Sequence, residues 1–233
     1  MEWRWREAEL SYRRALALDS TDVTARVGLA RIAMLDGDAR RAEGILAAAA
    51  RRNPTGASAR HLALAQAAER RYHLAIGTAR AAIARDSTTA ASRLLLATVL
   101  LQAGRYPEAI AQLESIRGLD AESPEVLGAL GFSLARAGRA SEARSILTGL
   151  QRDTRRIGVY PAMAKVYLGL GDRDWALDAL TWATAARDDF FARESMASSV
   201  FDALRGDARF ARVLEIVGLD AARLTTATGR RAP

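Results

Sequence analysis

Two histidines, His61 and His73, are the side chains best suited to proton transfer or metal binding near neutral pH. They lie on different stretches of the chain, and neither belongs to an H-E-x-x-H pair or another paired-ligand spacing. Each therefore reads as a partly exposed helix histidine. Asp172-Arg173-Asp174 and Asp188-Asp189 place carboxylates side by side, the arrangement that can share a proton or hold a cation. Both stand at the edges of helical segments, where an aspartate satisfies free N–H groups and the positive end of the helix dipole. A catalytic pocket would have to gather Asp188, Asp189 and a histidine, which the linear order does not suggest. No cysteine is present, so there is no thiolate site and no disulfide framework. The phosphate-cradling and nucleophile motifs G-x-x-x-x-G-K-S/T, G-x-G-x-x-G and G-x-S-x-G do not occur. The sequence predicts no enzyme activity, no metal and no cofactor.

Charge offers the next candidate chemistry. The formal charge is +7, carried by 33 arginines and the single lysine Lys165. Tandem pairs at Arg13-Arg14, Arg40-Arg41, Arg51-Arg52 and Arg70-Arg71 invite a nucleic-acid or anionic-surface reading. The 27 Asp and Glu residues are interspersed with them, however, and no block of one sign forms. No aromatic row stands beside the pairs to stack bases. Basic nucleic-acid or anionic-surface binding is the alternative function, behind protein binding.

What must position these residues is a repeat. In Leu100–Ile116 a helical end runs into Gly104, and a second helix opens at Glu108-Ala109-Ile110, with bulky Leu113 four residues after small Ala109. Small-then-large at that spacing lets two helices approach and fills the gap one turn on. Equivalent alanines recur at 8, 42, 75, 109, 143 and 176, at intervals of 34, 33, 34, 34 and 33 residues. A constant period of this length marks a helical repeat array. The predicted fold is all-α: about five and a half repeats of antiparallel helix pairs, plus C-terminal capping helices.

Boundaries follow from the period. A half repeat occupies 1–22, and full repeats occupy 23–56, 57–89, 90–123, 124–154 and 157–188. Asn53-Pro54 and Asp86-Ser87 close two of them. Arg70 stands where neighbouring turns have glycine, which makes that junction the least regular. Beyond Asp188 the period stops. Phe190-Phe191 leads into a polar helix, and Asp207 is the expected N-cap of a last helix stopped by Gly218. Capping helices are expected over 189–219 and a flexible tail over 220–233. The opening helix occupies second-helix slots with no first helix before it. Trp3 and Trp5 are therefore expected to need cover from residues upstream of Met1 or from self-association through the exposed half repeat. No apolar core follows a basic start, so a cytoplasmic location is expected. The longest apolar run, Leu94 to Leu101, is too short to span a bilayer.

These units resemble the tetratricopeptide repeat, with its pattern W-x2-L-G-x2-Y, then A-x3-F, then P. The L-G slots read Leu29-Ala30, Leu62-Ala63, Leu96-Ala97, Leu130-Gly131 and Met163-Ala164, while the Trp slot is poorly kept. The resemblance implies a right-handed solenoid whose first helices line a concave groove. It implies groove positions at Val27, Arg31, Met34, Arg60, Leu64, Leu94, Thr98, Leu101, Phe132, Arg136 and Lys165. Leu35, Gln102, Glu125 and Leu168 fall in the same slots. An apolar floor with basic side chains suits an extended or helical partner segment carrying carboxylates. The chaperone-tail binders of this family use a Lys/Asn clamp, whereas the only asparagine here is Asn53, in a loop. The stretch Phe201–Phe210 is also similar to the end of repeat regions in large bacterial signalling proteins. The implied function is a non-enzymatic scaffold that binds a protein segment, as part of such a protein.

Overall fold

The computed structural model describes residues 4–52, 56–85, 90–117, 123–188 and 198–220. Among them are twelve α-helices, one 3-10 helix and no strand. The opening helix α1 (Trp5–Leu18) is followed by five antiparallel pairs. These are α2 (Val23–Leu35) with α3 (Ala39–Arg52), α4 (Gly56–Ala68) with α5 (Tyr72–Arg85), and α6 (Ala90–Gln102) with α7 (Tyr106–Arg117). Next come α8 (Pro124–Arg136) with α9 (Ala140–Gln151) and α10 (Val159–Leu170) with α11 (Arg173–Ala185). The 3-10 helix (Ser199–Leu204) and α12 (Ala208–Ile216) end the described chain.

Each helix packs on its partner, and each first helix also packs on the first helix of the next pair. The periodic alanines are the reason this is sterically possible. Ala42, Ala75, Ala109, Ala143 and Ala176 are all fully buried, and a methyl group at each contact lets the helix axes approach closely. Ala8, in the half repeat, is only partly buried.

The turns within pairs share one device. Gly37, Gly104, Gly138 and Gly171 take left-handed φ values of 75 to 89°. In each case the following residue's N–H reaches back to a carbonyl five residues earlier, as from Asp38 to Ala33 at 2.8 Å and from Arg105 to Leu100 at 2.9 Å. This closes the helix end and satisfies carbonyls the helix leaves free. Arg70 adopts the same conformation, φ 61°, without glycine's freedom. Its turn is therefore regular in backbone although irregular in sequence. The Arg70 side chain joins the Asp202 carboxylate at 2.7 Å, across 132 residues.

The C-terminal part does more than cap the last pair. Val200, Phe201 and Leu204 are buried, and Phe201 stacks with Phe210 at 6.2 Å. Asp207 caps α12 by accepting from the Arg209 N–H, and Gly218 turns the chain beyond it. Ser199 Oγ donates to the Gln102 carbonyl at the end of α6. The Trp5 indole N–H donates to the Val217 carbonyl at 2.8 Å, so the start of α1 meets the residue that ends α12. Trp5 is thus partly covered by this chain's own C-terminal helix, which corrects the expectation that its cover must come from elsewhere. Tyr12 lies against Gly28 of α2, while Leu10 and Leu18 of α1 stay exposed. Trp3, Asn53-Pro54, Asp86-Ser87, the polar helix after Phe190-Phe191 and the tail from 221 lie outside the described residues.

Among the described residues, no helix is long and apolar enough to cross a membrane.

Candidate functional site

The first helices carry apolar side chains on nearly every face, because they meet a partner helix on one side and neighbouring first helices on the others. What remains of their surface turns inward. There, α2, α4, α6, α8 and α10 enclose a cavity of about 230 Å³. Arg31, Met34 and Leu35 come from α2, and Arg60, His61 and Leu64 from α4. The largest share comes from α6, with Leu94, Leu95, Thr98, Leu101 and Gln102. Glu125 and Phe132 of α8 and Lys165 of α10 complete the far wall. Ser198 and Val200, just before and within the 3-10 helix, close one side.

Nine of the eleven groove residues expected from the sequence line this cavity: Arg31, Met34, Arg60, Leu64, Leu94, Thr98, Leu101, Phe132 and Lys165. Val27 instead packs on the small cluster formed by Ala30, Ala33 and Leu46. Arg136 stands exposed at the end of α8, its guanidinium 5.8 Å above the Tyr106 ring and its Nε 3.4 Å from the Tyr106 hydroxyl. It is a rim residue held by an aromatic face. His61, Ser198 and Val200 line the cavity without having been expected there. A repeat position could have flagged His61, which follows Arg60 directly. Nothing local could have flagged the other two, which arrive from beyond the last repeat.

Polar groups on the cavity wall are incompletely matched within the protein. Gln102 is 8% exposed, and its Oε1 is buried without a hydrogen-bond donor. Arg60 Nε is buried without an acceptor. Thr98 Oγ1, by contrast, donates to the Leu94 carbonyl at 2.8 Å and is satisfied. Burial holds the His61 imidazole well below its ordinary proton affinity, at a pKa of about 4, and the charges of Arg60 and Arg31 push it the same way. His61 is therefore neutral at pH 7, and the charged side chains on the wall, among the described residues, are Arg31, Arg60, Lys165 and Glu125.

The other candidate chemistries resolve into structural roles. Asp188 is buried and accepts the Gly158 N–H at 2.6 Å, at the start of α10. Asp174 pairs with Arg209 at 2.6 Å, and Asp172 stands at the N-cap position of α11 without a side-chain hydrogen bond to the first turn; Asp189 lies outside the described residues. Among the described residues, no group of three His, Asp or Glu side chains is placed to hold a metal ion. Arginines of the tandem pairs meet carboxylates. Arg13 and Arg41 both reach Glu9, Arg40 reaches Glu69, Arg70 reaches Asp202 and Arg71 reaches Glu43.

A family model described as tetratricopeptide repeat matches residues 4–67, 66–131 and 100–166, which together cover more than half of the chain. No curated protein matches the sequence. Among solved structures, a tetratricopeptide repeat protein from Parabacteroides merdae is similar at 14% identity and TM-score 0.56, over 97% of this chain and 93% of that one. At that identity it speaks for the fold alone. YrrB, described as a TPR protein with an unusual peptide-binding site, is 18% identical over 78% of this chain and 95% of its own, at TM-score 0.47. Arrays of such repeats are scaffolds for protein–protein interaction, with an extended concave surface. By its matched repeats and its paired-helix solenoid, this chain belongs to the tetratricopeptide repeat family.

Proposed function

We propose that the concave cavity is where this scaffold binds another protein, through a segment that lays apolar side chains on Leu64, Leu94, Leu101 and Phe132 and turns carboxylates toward Arg31, Arg60 and Lys165. The observation that carries this reading is the composition of the wall. Four successive first helices, α2, α4, α6 and α8, contribute an apolar floor, and the basic side chains of α2, α4 and α10 stand within the same enclosure. An apolar pocket with a few convergent polar groups is the usual form of a binding site. Membership of a larger signalling or regulatory protein is part of the same proposal, and it rests on the similarity of Phe201–Phe210 to the ends of such repeat regions. The anionic-surface alternative draws no support from the tandem arginines, because so many of them already face carboxylates.

A photo-crosslinking side chain at Leu94 tests the proposal in cells. It should trap a partner protein, whereas the same group at outer-face Arg144, exposed on α9, should not. Arg31→Glu with Arg60→Glu should abolish the adduct while the helical circular dichroism is unchanged. Equal trapping from both positions, or an adduct indifferent to the charge reversal, refutes the concave site. Affinity that falls steeply with salt and ignores the partner's sequence would instead favour the nucleic-acid reading.

A further inference from the structure

The cavity lacks two complementary things. Gln102 Oε1 is a buried acceptor with no donor, and Arg60 Nε is a buried donor with no acceptor. The two residues stand on different helices and on the wall of one enclosure. Buried polar atoms are satisfied in the great majority of cases, so unmatched ones call for an explanation. One ligand residue that offers an acceptor and a donor together supplies both. The size of the space narrows the choice. About 230 Å³ falls below the few hundred cubic ångströms usual for drug-sized ligands. It admits one side chain with the backbone beside it, not a helix.

We propose that the cavity takes a single acidic residue of the partner segment as an anchor, with its carboxylate received by Arg60 beside Arg31 and an adjacent backbone N–H given to Gln102 Oε1. This rests on the concave-site reading above and sharpens it from an apolar and acidic segment to one seated residue. A carboxylate at Arg60 gains a charge-assisted hydrogen bond from a guanidinium that is partly withdrawn from water, where such a bond is strong. Neutral His61 lines the same enclosure next to Arg60 and leaves the positive charge there to the two arginines. Glu125 on the far wall opposes a second acid, so the site selects one carboxylate flanked by apolar residues over an acidic run.

The two histidines make the test direct, since proton NMR of the intact chain needs to separate only His61 from His73, and a His61→Gln variant assigns them. The probes are the doubly blocked tripeptides acetyl-Leu-Glu-Leu-amide and acetyl-Leu-Gln-Leu-amide. We expect the Glu probe to bind at least fivefold more tightly than the Gln probe. It should also raise the His61 pKa from about 4 by a unit or more, because an anion beside the imidazole offsets the arginines. Arg60→Gln should remove the preference between probes. Gln102→Met should weaken both probes alike, which a purely structural role for Gln102 would not do while the His61 resonance of the free protein is unmoved. Equal binding of the two probes, or binding that leaves the His61 pKa where it was, overturns the anchor and leaves the concave site standing. Failure of both probes alongside a partner trapped at Leu94 does the same. Failure of both probes with nothing trapped at Leu94 overturns the two readings together.

Discussion

The first helices meet differently in the two halves of the array. Between α8 and α10 the contact is far more extensive than between α4 and α6 or between α2 and α4. A Cβ added at Gly128 would lie 2.7 Å from the Ala162 Cα, and one at Gly169 would lie 2.9 Å from the Phe132 Cα. The helices of the C-terminal half thus approach backbone to backbone. The repeat register shows what stands at those slots elsewhere. The position of Gly128 is Val27 in α2, Arg60 in α4, Leu94 in α6 and Pro161 in α10, and the position of Gly169 is Leu35 in α2, Ala68 in α4, Gln102 in α6 and Arg136 in α8. Four of these eight, Leu35, Arg60, Leu94 and Gln102, line the cavity. One repeat position therefore serves either helix–helix contact or the enclosed space, and the side chain decides which. Glycine gives the surface to the next helix, whereas Leu35, Arg60, Leu94 and Gln102 at the same slots present side chains to the interior.

The largest effect should come from forcing the C-terminal half to resemble the N-terminal half. Gly128→Leu restores the residue that α6 carries at this slot. The obstacle is the Ala162 backbone rather than a flexible side-chain end, so little can give. Overpacking of this kind costs about 3 kcal/mol. Denaturant unfolding of the variant should show a lower midpoint at nearly unchanged slope. A midpoint equal to that of the parent would mean that α8 and α10 do not meet as described, and the contrast between the halves would lose its basis.

A smaller effect belongs to the cavity half and depends on pH. The His61 pKa is about 4 in the folded chain against an ordinary value of 6.5. Between these two values the unfolded chain takes up a proton that the native state refuses. Stability therefore falls as pH drops from 6.5 toward 4, and this group contributes no further slope outside that window. A shift of that size corresponds to at most about 3 kcal/mol, and partial exposure of the ring reduces it. Melting temperatures of the parent and His61→Gln, compared at pH 7 and pH 5, isolate the contribution. From pH 7 to pH 5 the parent should lose melting temperature relative to His61→Gln if the histidine is neutral and buried when folded. A gap that stays constant would contradict it.

The repeat register was legible in the sequence, for a physical reason, although the contrast between the halves was not. Helix contacts at a fixed period demand small residues at a fixed period, so Ala42, Ala75, Ala109, Ala143 and Ala176 announce the register before any coordinates. Once the register is known, the inward slots that the family resemblance implies, such as Arg60, Leu94 and Lys165, can be placed by counting. Arg136 shows the limit of that counting, since a long side chain at a helix end can swing outward to Tyr106. The pairing of Trp5 with Val217 was not legible at all. It depends on curvature summed over every repeat, and a small rotation per unit leaves no local mark. Arg70 sent a misleading signal. Absence of glycine suggested an irregular turn, yet the backbone adopts the left-handed conformation anyway, at a cost of about 1–2 kcal/mol, and the side chain reaches Asp202.

The smallest prediction separates the two kinds of glycine. Gly77 lies on the exposed face of α5, and a Cβ built there meets nothing within 4 Å. It is helical with no left-handed φ, so alanine fits its backbone. Gly77→Ala should stabilise the protein by about 0.5–1 kcal/mol, because alanine loses less conformational entropy on entering a helix. Gly128→Ala makes the identical chemical change on the inner wall, gains the same helical term, and drives a methyl group against the Ala162 backbone. It should be net destabilising, by about 1 kcal/mol or more. The two substitutions thus differ only in what lies opposite the added carbon. Opposite signs in thermal melts would establish that glycine on the inner wall is a contact device and glycine on α5 is not. If both variants gain stability, the space between α8 and α10 is wider than described, and the enclosure should then extend further along the array. If both lose it, the outer face of α5 is covered by something, and Gly77 belongs to a second interface.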